Sequence, residues 1–203
     1  MDLRTCIKKL EYVGTLDFAT VDQNGNPQIR NISAIHYEEN AIYFYTAQGK
    51  NFYQELIEKK RTQILALTKY KEMIRFSAEV ELVTGAESDK WRDLIFEEQP
   101  YLSNVYPGKT REIGAIFSIK RGSLEYFNLG VKPIFREEYS YGGGITEEKG
   151  FRITSNCIGC GTCLENCPQN AIEESTPFYI KRENCLHCGM CAKVCPVSAV
   201  QRL

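Results

Sequence analysis

The chain has 203 residues, of which 43% are apolar and 25% are charged, and its net charge is −1. This composition is typical of a soluble globular protein of one or two domains and excludes a disordered, collagen-like or coiled-coil chain. No apolar run approaches the roughly 18 residues of a membrane-spanning helix, no signal segment opens the chain, and no basic block stands out. We therefore expect a cytoplasmic protein without membrane or nucleic-acid partners.

The first 130 residues predict an α+β domain that is rich in strands. The apolar spacing of Leu3, Ile7 and Leu10 predicts a short helix that ends at Gly14. A second helix is predicted with Phe52, Leu56 and Ile57 on one face, and a third over residues 87–96. Apolar alternation and turn signals predict strands at 16–21, 28–37, 41–46, 63–68, 73–83, 115–119 and 123–127. Antiparallel hairpins with few helices favour a small closed or split β-barrel.

A linker and a second domain are predicted after this barrel. Residues 131–150 contain Gly142-Gly143-Gly144 and a polar run, which is typical of a connector. Residues 151–203 contain an internal repeat, because every cysteine of one motif recurs 28 residues later in a second motif. A strand-like run precedes each copy. Two copies of one unit predict a small pseudo-symmetric domain.

The cysteines are the unusual feature of this composition. Nine are present, and eight of them lie in residues 157–203, whereas Cys6 stands alone near the start. An odd number in a chain without a signal segment argues against a disulfide scaffold and indicates metal. Cys6 itself is interpreted as a small buried apolar residue rather than a ligand.

Each motif has the spacing C-x2-C-x2-C-x3-C-P, which is the run of the two-cluster bacterial ferredoxins. In that pattern three cysteines of a motif bind one iron–sulfur cluster, and the fourth, expected to begin a short helix, binds the other. The predicted ligand sets of two [4Fe–4S] clusters are therefore Cys157, Cys160, Cys163 and Cys195 for one, and Cys185, Cys188, Cys191 and Cys167 for the other. The resemblance to these ferredoxins covers about 50 positions.

Zinc is the alternative for this region, since paired C-x2-C knuckles commonly bind it. The tandem spacing with a following proline does not match a zinc site. His187 lies between Cys185 and Cys188. Because the second set already has its four cysteines, His187 is interpreted as a neighbour that tunes the potential of the cluster or lies at the surface.

The barrel region contains three basic residues that could form an anion site. Arg30 lies late in a predicted strand, Lys50 lies where a strand leads into a helix, and Arg75 lies in a later strand. Arginine, lysine and the amides of a helix start suit a phosphate. Each residue also has an ordinary reading as a solvated surface cation, so these residues alone leave the site open.

The order of these elements resembles the pyridoxamine 5′-phosphate oxidase-like split-barrel flavoproteins over residues 8–130. The resemblance rests on the strand from Gly14 to Asp22, the hairpin Asn-Gly-Asn-Pro-Gln-Ile-Arg, the run Tyr-Thr-x4-Asn that leads into a helix, and the strand Ile-Arg-Phe-Ser-Ala-Glu-Val. It implies a split barrel with FMN at the interface of a homodimer. The family's vitamin-binding residues are not recognisable, so oxidation of pyridoxamine phosphate is not expected.

The resemblance implies a role for each residue at a matching position. Arg30 and Lys50 would hold the phosphate, and Asn51 belongs to the same group. The strand residues Asn31, Ile32 and Ser33 would run along the isoalloxazine edge, and Tyr45 and Thr46 would line the ribityl chain. His36 is interpreted as a surface residue of the barrel, and no catalytic acid or base stands out.

Together the two regions predict an FMN-dependent oxidoreductase with iron–sulfur clusters. We expect an external redox partner, a ferredoxin or a similar donor, to reduce the clusters, and a small-molecule acceptor to take electrons from the flavin. Electron flow in the opposite direction, from the flavin to the clusters, is left open. One alternative is an electron carrier without a substrate, whose barrel serves as a dimerisation platform. Another is a barrel filled by haem or a deazaflavin.

Overall fold

The computed structural model describes all residues from 1 to 203. Its helices are α1 (Leu3–Val13), α2 (Asn51–Lys59), α3 (Gly85–Glu98), α4 (Leu102–Val105), α5 (Thr162–Glu165) and α6 (Met190–Lys193). Its strands are β1 (Leu16–Val21), β2 (Pro27–Ile32), β3 (Ile35–Tyr37), β4 (Ile42–Ala47), β5 (Arg61–Leu67), β6 (Glu72–Val83), β7 (Gly114–Asn128), β8 (Phe135–Tyr141), β9 (Phe151–Ile153), β10 (Ile172–Glu173), β11 (Tyr179–Ile180) and β12 (Val200–Arg202). Two 3₁₀ turns cover Gly108–Ile113 and Arg182–Asn184.

Helix α1 confirms the predicted N-terminal helix and shows why it has these limits. The Asp2 side chain accepts a hydrogen bond from the Thr5 N–H at 2.7 Å, which caps the start of the helix. Gly14 follows the last helical residue with φ 74°, and its N–H donates to the Leu10 carbonyl. The positive φ suits glycine because no Cβ meets the backbone there. Cys6 and Leu10 form the buried face of α1.

The first eight strands form one sheet, in the order β2-β1-β5-β6-β7-β4-β3, with β8 paired to β7. Strand β1 pairs antiparallel with both β2 and β5, and β4 pairs antiparallel with both β3 and β7. Strand β4 is buried at all its positions. Phe44 of β4 lies between Phe18 and Phe117, with ring centroids 5.0 and 5.6 Å away. This curled antiparallel sheet confirms the predicted α+β split barrel.

Two strand predictions for the barrel are wrong in detail. Residues 28–37 form two strands, because the chain leaves β2 at Ser33 before β3 begins. Residues 114–128 form the single strand β7 rather than a hairpin at Arg121-Gly122. Gly122 is needed for close packing instead of a turn, since a Cβ there would lie 2.3 Å from the Ser77 carbonyl oxygen of β6. A glycine inside a strand often marks such a close backbone approach.

The segment 131–150 differs from the expected connector, because it contains strand β8. The sequence Phe-Arg-Glu-Glu-Tyr-Ser-Tyr has no clear apolar alternation, and its strand forms by pairing with β7. Several of its charged side chains are nevertheless half-buried. The strand conformation of this segment therefore depends on pairing with a neighbouring strand, and the local sequence pattern does not reveal that pairing.

The C-terminal region consists of two small two-stranded sheets, β9 with β12 and β10 with β11, and both pairs are antiparallel. The strand-like runs predicted before each cysteine motif are β9 and β11. The prediction that the fourth cysteine begins a helix is wrong. Helices α5 and α6 instead contain the third cysteine of each motif, Cys163 and Cys191, and end before the fourth.

Contacts between residues divide the chain into two compact units. The first comprises Met1–Thr68, Ile74–Leu124 and Tyr139–Ile145, and the second comprises Lys69–Met73, Glu125–Glu138 and Thr146–Leu203. The second unit therefore includes short pieces of β6, β7 and β8 in addition to the cysteine region. No helix in the structure has the length and apolar character needed to cross a membrane.

We expect Gly122→Ala to lower the free energy of unfolding of the barrel by about 1–3 kcal/mol, because the new methyl group overpacks the contact with β6. Gly49→Ala is the matched control, since a Cβ at Gly49 meets nothing within 4 Å. The measurement is urea unfolding followed by the fluorescence of Trp91, the single tryptophan, which is buried in this unit. Equal effects of the two substitutions would contradict the packing role of Gly122.

Candidate functional site

The eight cysteines of the C-terminal region line two cavities, and each cavity receives side chains from both motifs. One cavity is lined by Cys185, Cys188, Cys191 and Cys167. The other is lined by Cys157, Cys160, Cys163 and Cys195. Three cysteines of one motif thus meet the fourth cysteine of the other. We call them the Cys185 cavity and the Cys157 cavity.

Short helices and tight loops bring the cysteines to these cavities. Gly161 and Gly189 precede α5 and α6 with φ values of 76° and 79°, a conformation that L side chains rarely adopt. The remaining wall of each cavity is largely apolar, with Phe178 and Ile153 at the Cys157 cavity and Phe151 and Ile180 at the Cys185 cavity. Apolar walls limit the access of water to bound metal.

Backbone amides point at the sulfur atoms in both halves of the repeat. The Ala171 N–H donates to Cys167 Sγ at 3.3 Å, and the Ala199 N–H donates to Cys195 Sγ at 3.2 Å. The His187 N–H donates to Cys185 Sγ at 3.4 Å. Such N–H···S contacts stabilise charge on the sulfur atoms and tune the potential of a cluster.

Burial controls the protonation of these thiols. It raises the pKa of Cys191 to about 11 and raises the pKa values of Cys163 and Cys185 as well. A hydrogen bond from Thr162 lowers the pKa of the exposed Cys160. The raised values favour the protonated thiol in the absence of metal. Since metals bind thiolates, loading of these cavities must release protons.

The donor set of each cavity fits an iron–sulfur cubane. It offers four sulfur ligands, amide donors to sulfur and an enclosed apolar wall. A cubane takes one ligand on each of its irons, so its ligands surround a volume instead of meeting at one point. The four cysteines of each set line the wall of one cavity, as such a cluster requires.

Arg30 lies beside the first turn of α2, in the unit that contains the barrel. Its Nη1 donates to Glu55 Oε2 at 2.9 Å and to Thr20 Oγ1 at 2.5 Å, and the Thr20 hydroxyl also hydrogen-bonds to Glu55. The guanidinium group lies 4.6 Å from the centre of the Phe52 ring. Glu55 is buried and therefore holds Arg30 in one place.

Lys50 and Asn51 lie where β4 leads into α2, and both are exposed. Lys50 is the N-cap residue, and no side chain caps the first N–H groups of α2. Together with Arg30 beside the same turn, these groups form a donor set that fits a phosphate ester such as that of FMN. Glu55 departs from an ordinary phosphate site, because its carboxylate already balances the charge of Arg30.

Asn31, Ile32 and Ser33 lie at the end of β2, which is an edge strand. An edge strand leaves one row of backbone N–H and C=O groups without a sheet partner, as the predicted backbone contacts to a ligand require. The side chains have partners of their own. Asn31 hydrogen-bonds to Asp17, and the Ser33 hydroxyl lies 2.6 Å from the Tyr101 hydroxyl.

Tyr45 and Thr46 do not reach the surface with Arg30, because both are buried in β4. The Tyr45 ring packs at 5.3 Å from both Phe96 and Tyr106, and its hydroxyl donates to the Arg111 carbonyl. Burial raises the pKa of Tyr45 to about 12. These two residues belong to the core of the barrel, so their placement does not support the predicted contact with a ribityl chain.

The interpretation of His36 as a surface residue is wrong. His36 is 9% exposed and lies between two carboxylates, with Nδ1 3.0 Å from Glu98 and Nε2 3.0 Å from Glu38. It stacks on Trp91 at 5.2 Å. Arg75, in contrast, is exposed on β6.

The sequence did not point to Glu55, whose carboxylate is buried. A signal for it exists in the sequence, because Phe52, Glu55 and Leu56 share the helical spacing of the buried face of α2. A charged residue at an apolar position of a helix indicates a buried ion pair.

Two family models match the chain. Residues 7–105 match the model described as pyridoxamine 5′-phosphate oxidase, and residues 156–199 match the model described as a 4Fe-4S dicluster domain. Among curated proteins, the pyridoxine/pyridoxamine 5′-phosphate oxidase of Allorhizobium ampelinum is 25% identical over 122 residues, which are 57% of this chain and 57% of that protein. The match therefore spans little more than half of that relative.

Solved structures share the fold of the barrel. A NimC/NimA family protein from Clostridium acetobutylicum has a TM-score of 0.57 at 20% identity, covering 68% of this chain and 91% of that chain. A pyridoxamine 5′-phosphate oxidase-related, FMN-binding protein from Nostoc punctiforme has a TM-score of 0.52 at 18% identity, covering 68% of this chain and 87% of that chain. The chain therefore resembles the pyridoxamine 5′-phosphate oxidase-like split-barrel proteins in its first part and carries a 4Fe-4S dicluster domain of the bacterial ferredoxin type in its last part.

Proposed function

We propose that this protein is an iron–sulfur flavoprotein oxidoreductase that moves electrons between two [4Fe–4S] clusters and FMN and reduces a small acceptor. An external redox protein, a ferredoxin or a similar donor, supplies the electrons. The observation that carries the proposal is the pair of four-cysteine cavities in a chain whose other unit has the fold of FMN-binding proteins.

When bound, the clusters transfer single electrons and FMN exchanges between one-electron and two-electron chemistry. The chain's own part is to hold these groups and to set their surroundings. The cavity lined by Cys157, Cys160, Cys163 and Cys195 and the cavity lined by Cys185, Cys188, Cys191 and Cys167 each hold one cluster. Ala171 and Ala199 donate N–H groups to the sulfur atoms of the crossing ligands, Cys167 and Cys195.

The residues of the flavin site are Arg30, Lys50 and Asn51 at the phosphate and the backbone of Asn31, Ile32 and Ser33 along the ring system. Glu55 orients Arg30 through Nη1, and the guanidinium group has further N–H donors that suit an anion. Lys50 supplies the exposed positive charge. The proposal does not include the named activity of the curated relative, because the match covers 57% of that protein.

A homodimer is part of the proposal. The outward face of the sheet carries exposed apolar side chains on β1 and on the two strands that pair with it. They are Val21 on β1, Ile29 on β2 and Leu67 on β5, which are 42%, 69% and 60% exposed. Ile29 lies opposite Ala19, and Leu67 follows Leu65, which lies opposite Asp17, so these side chains share one face. A second copy of the chain would cover this face.

The second candidate is an electron carrier without its own substrate, with the barrel as a dimerisation platform. The ion pair of Arg30 with Glu55 favours it, because an arginine already balanced by a buried carboxylate does not require a phosphate. The two candidates differ in whether the purified protein contains flavin.

Anaerobic reduction of the purified protein with dithionite distinguishes these candidates. We expect eight irons per chain, a chromophore released by acid with the spectrum of FMN, and reoxidation by at least one of four acceptors: quinones, nitro compounds, free flavin or enoates. A folded protein with eight irons, no releasable flavin and no acceptor would support the carrier instead.

Cys167→Ala tests the crossed ligand sets. We expect loss of the cluster of the Cys185 cavity with retention of the other, because Cys167 lies with Cys185, Cys188 and Cys191. The measurement is iron content together with the electron paramagnetic resonance of the reduced protein. Cys195→Ala should have the reciprocal effect, and Cys6→Ala, buried in α1, should retain both clusters. Selective loss of the Cys157-cavity cluster in Cys167→Ala would refute the crossing.

Lys50→Ala tests the phosphate site without disturbing packing, because Lys50 is exposed. We expect FMN affinity to fall by about 10-fold to 150-fold, since a charge-assisted hydrogen bond contributes about 1.5–3 kcal/mol. The double variant Arg30→Ala/Lys50→Ala should lose FMN altogether with iron content unchanged. Arg75→Ala, an exposed arginine of β6, is the control. Titration of the flavin-free protein with FMN, followed by FMN fluorescence, measures the affinity of each variant. Joint loss of iron and flavin would contradict two separate sites.

A further inference from the structure

The two halves of the iron–sulfur unit differ at the position just before the second cysteine of each motif. Gly159 lies between Cys157 and Cys160, and His187 lies 28 residues later between Cys185 and Cys188. Both adopt positive φ, 68° for Gly159 and 59° for His187. This conformation suits glycine and disfavours a residue with a Cβ, so His187 occupies a strained position that the equivalent loop fills without strain.

Contacts of its side chain hold His187 in this conformation. Arg136 Nη1 lies 3.1 Å from His187 Nδ1, and because a guanidinium group can only donate, Nδ1 accepts. The ring also lies against Gly150, where a Cβ would come within 2.7 Å of Nε2. The imidazole is therefore packed and hydrogen-bonded instead of free in solvent.

Arg136 belongs to β8, outside both cysteine motifs, and its side chain is 11% exposed. Its Nη1 lies 2.6 Å from Glu125 Oε1, and its guanidinium lies 4.4 Å from the centre of the Phe127 ring. The buried carboxylate and the ring thus fix the cation between Glu125 on one side and the Cys185 loop on the other.

The same Arg136 Nη1 contacts both the Glu125 carboxylate and the His187 ring. The His187 N–H donates to Cys185 Sγ at 3.4 Å, so one residue joins the guanidinium group to the cysteine loop. A fixed cation stabilises added negative charge most strongly where little water screens it.

We propose that Arg136, acting through His187, raises the reduction potential of the Cys185-cavity cluster above that of the Cys157-cavity cluster. The inference rests on the proposed function, because it needs both clusters. Reduction adds one negative charge to a cluster, which the nearby cation stabilises. The two pseudo-equivalent cavities are then electrochemically different, and the first electron resides at the Cys185 cavity.

Redox titration of the holoprotein, followed by electron paramagnetic resonance, tests this inference. Arg136→Gln is expected to lower the higher of the two cluster potentials and to shift the equilibrium between the clusters about tenfold, which is about 59 mV for one electron. Glu125→Gln removes the opposing charge and is expected to raise the same potential. Arg136→Lys keeps the positive charge and should therefore keep most of the difference between the two cluster potentials. A merely structural role of the pair would move the Arg136→Gln and Glu125→Gln potentials in the same direction.

Further variants serve as controls. Arg152→Gln removes a cation of the same unit that contacts Gln201 and should leave the difference unchanged. Thr162→Val removes a hydroxyl 3.4 Å from Cys160 Sγ and should lower only the other potential, which identifies that cluster. If Arg136→Gln loses iron, His187→Gly serves as the second variant. It relieves the backbone strain and removes the contact with Arg136, so it should also narrow the difference between the two cluster potentials.

The outcomes separate this inference from the proposed function. Fewer than two clusters in the unsubstituted protein would refute the proposed function. Two clusters with equal potentials, or potentials that move alike in Arg136→Gln and Glu125→Gln, would overturn the inference alone.

Discussion

The convergence of four sulfur atoms on each cavity is the constraint on which the C-terminal unit depends. Because each cavity takes one cysteine from the other motif, neither half can be completed without its partner. The small paired strands are only two or three residues long, and β9 pairs with β12 near the C-terminus. Burial raises the pKa of Cys191 and so favours its thiol over the thiolate that a metal binds. The unit therefore depends on both motifs coming together at each cavity.

The barrel follows a different principle, since its stability comes from apolar packing around β4. Its polar exceptions are consequently informative. The buried Glu55 holds Arg30 beside the uncapped start of α2, and His36 is held between Glu38 and Glu98. A buried carboxylate that lost its arginine would remain as an uncompensated charge, which is strongly destabilising. Glu55 therefore makes Arg30 a fixed cation and also reduces the charge that it offers to an anion.

The same arrangement of a carboxylate holding an arginine recurs in the second unit with Glu125 and Arg136. There the arginine contacts His187, which stands where the other motif has Gly159. Duplicated motifs supply two equivalent cavities, and a side chain from β8 makes their surroundings unequal. An electron path between two clusters and a flavin has a direction only when such inequalities exist, so electrostatics outside the motifs carries functional information.

Sequence alone determined the α+β split-barrel class, the helices α1 and α2, most barrel strands and the partition of the cysteines into eight candidate ligands and one core residue. These features depend on local spacing, either of apolar residues or of cysteines, and local spacing is readable along the chain. Only the tertiary structure decided that β7 continues through Gly122, that residues 135–141 form a strand, that Tyr45 and Thr46 are buried, and that Arg136 reaches His187. Each of these depends on which distant segment lies alongside, and no periodicity in the sequence encodes that partner.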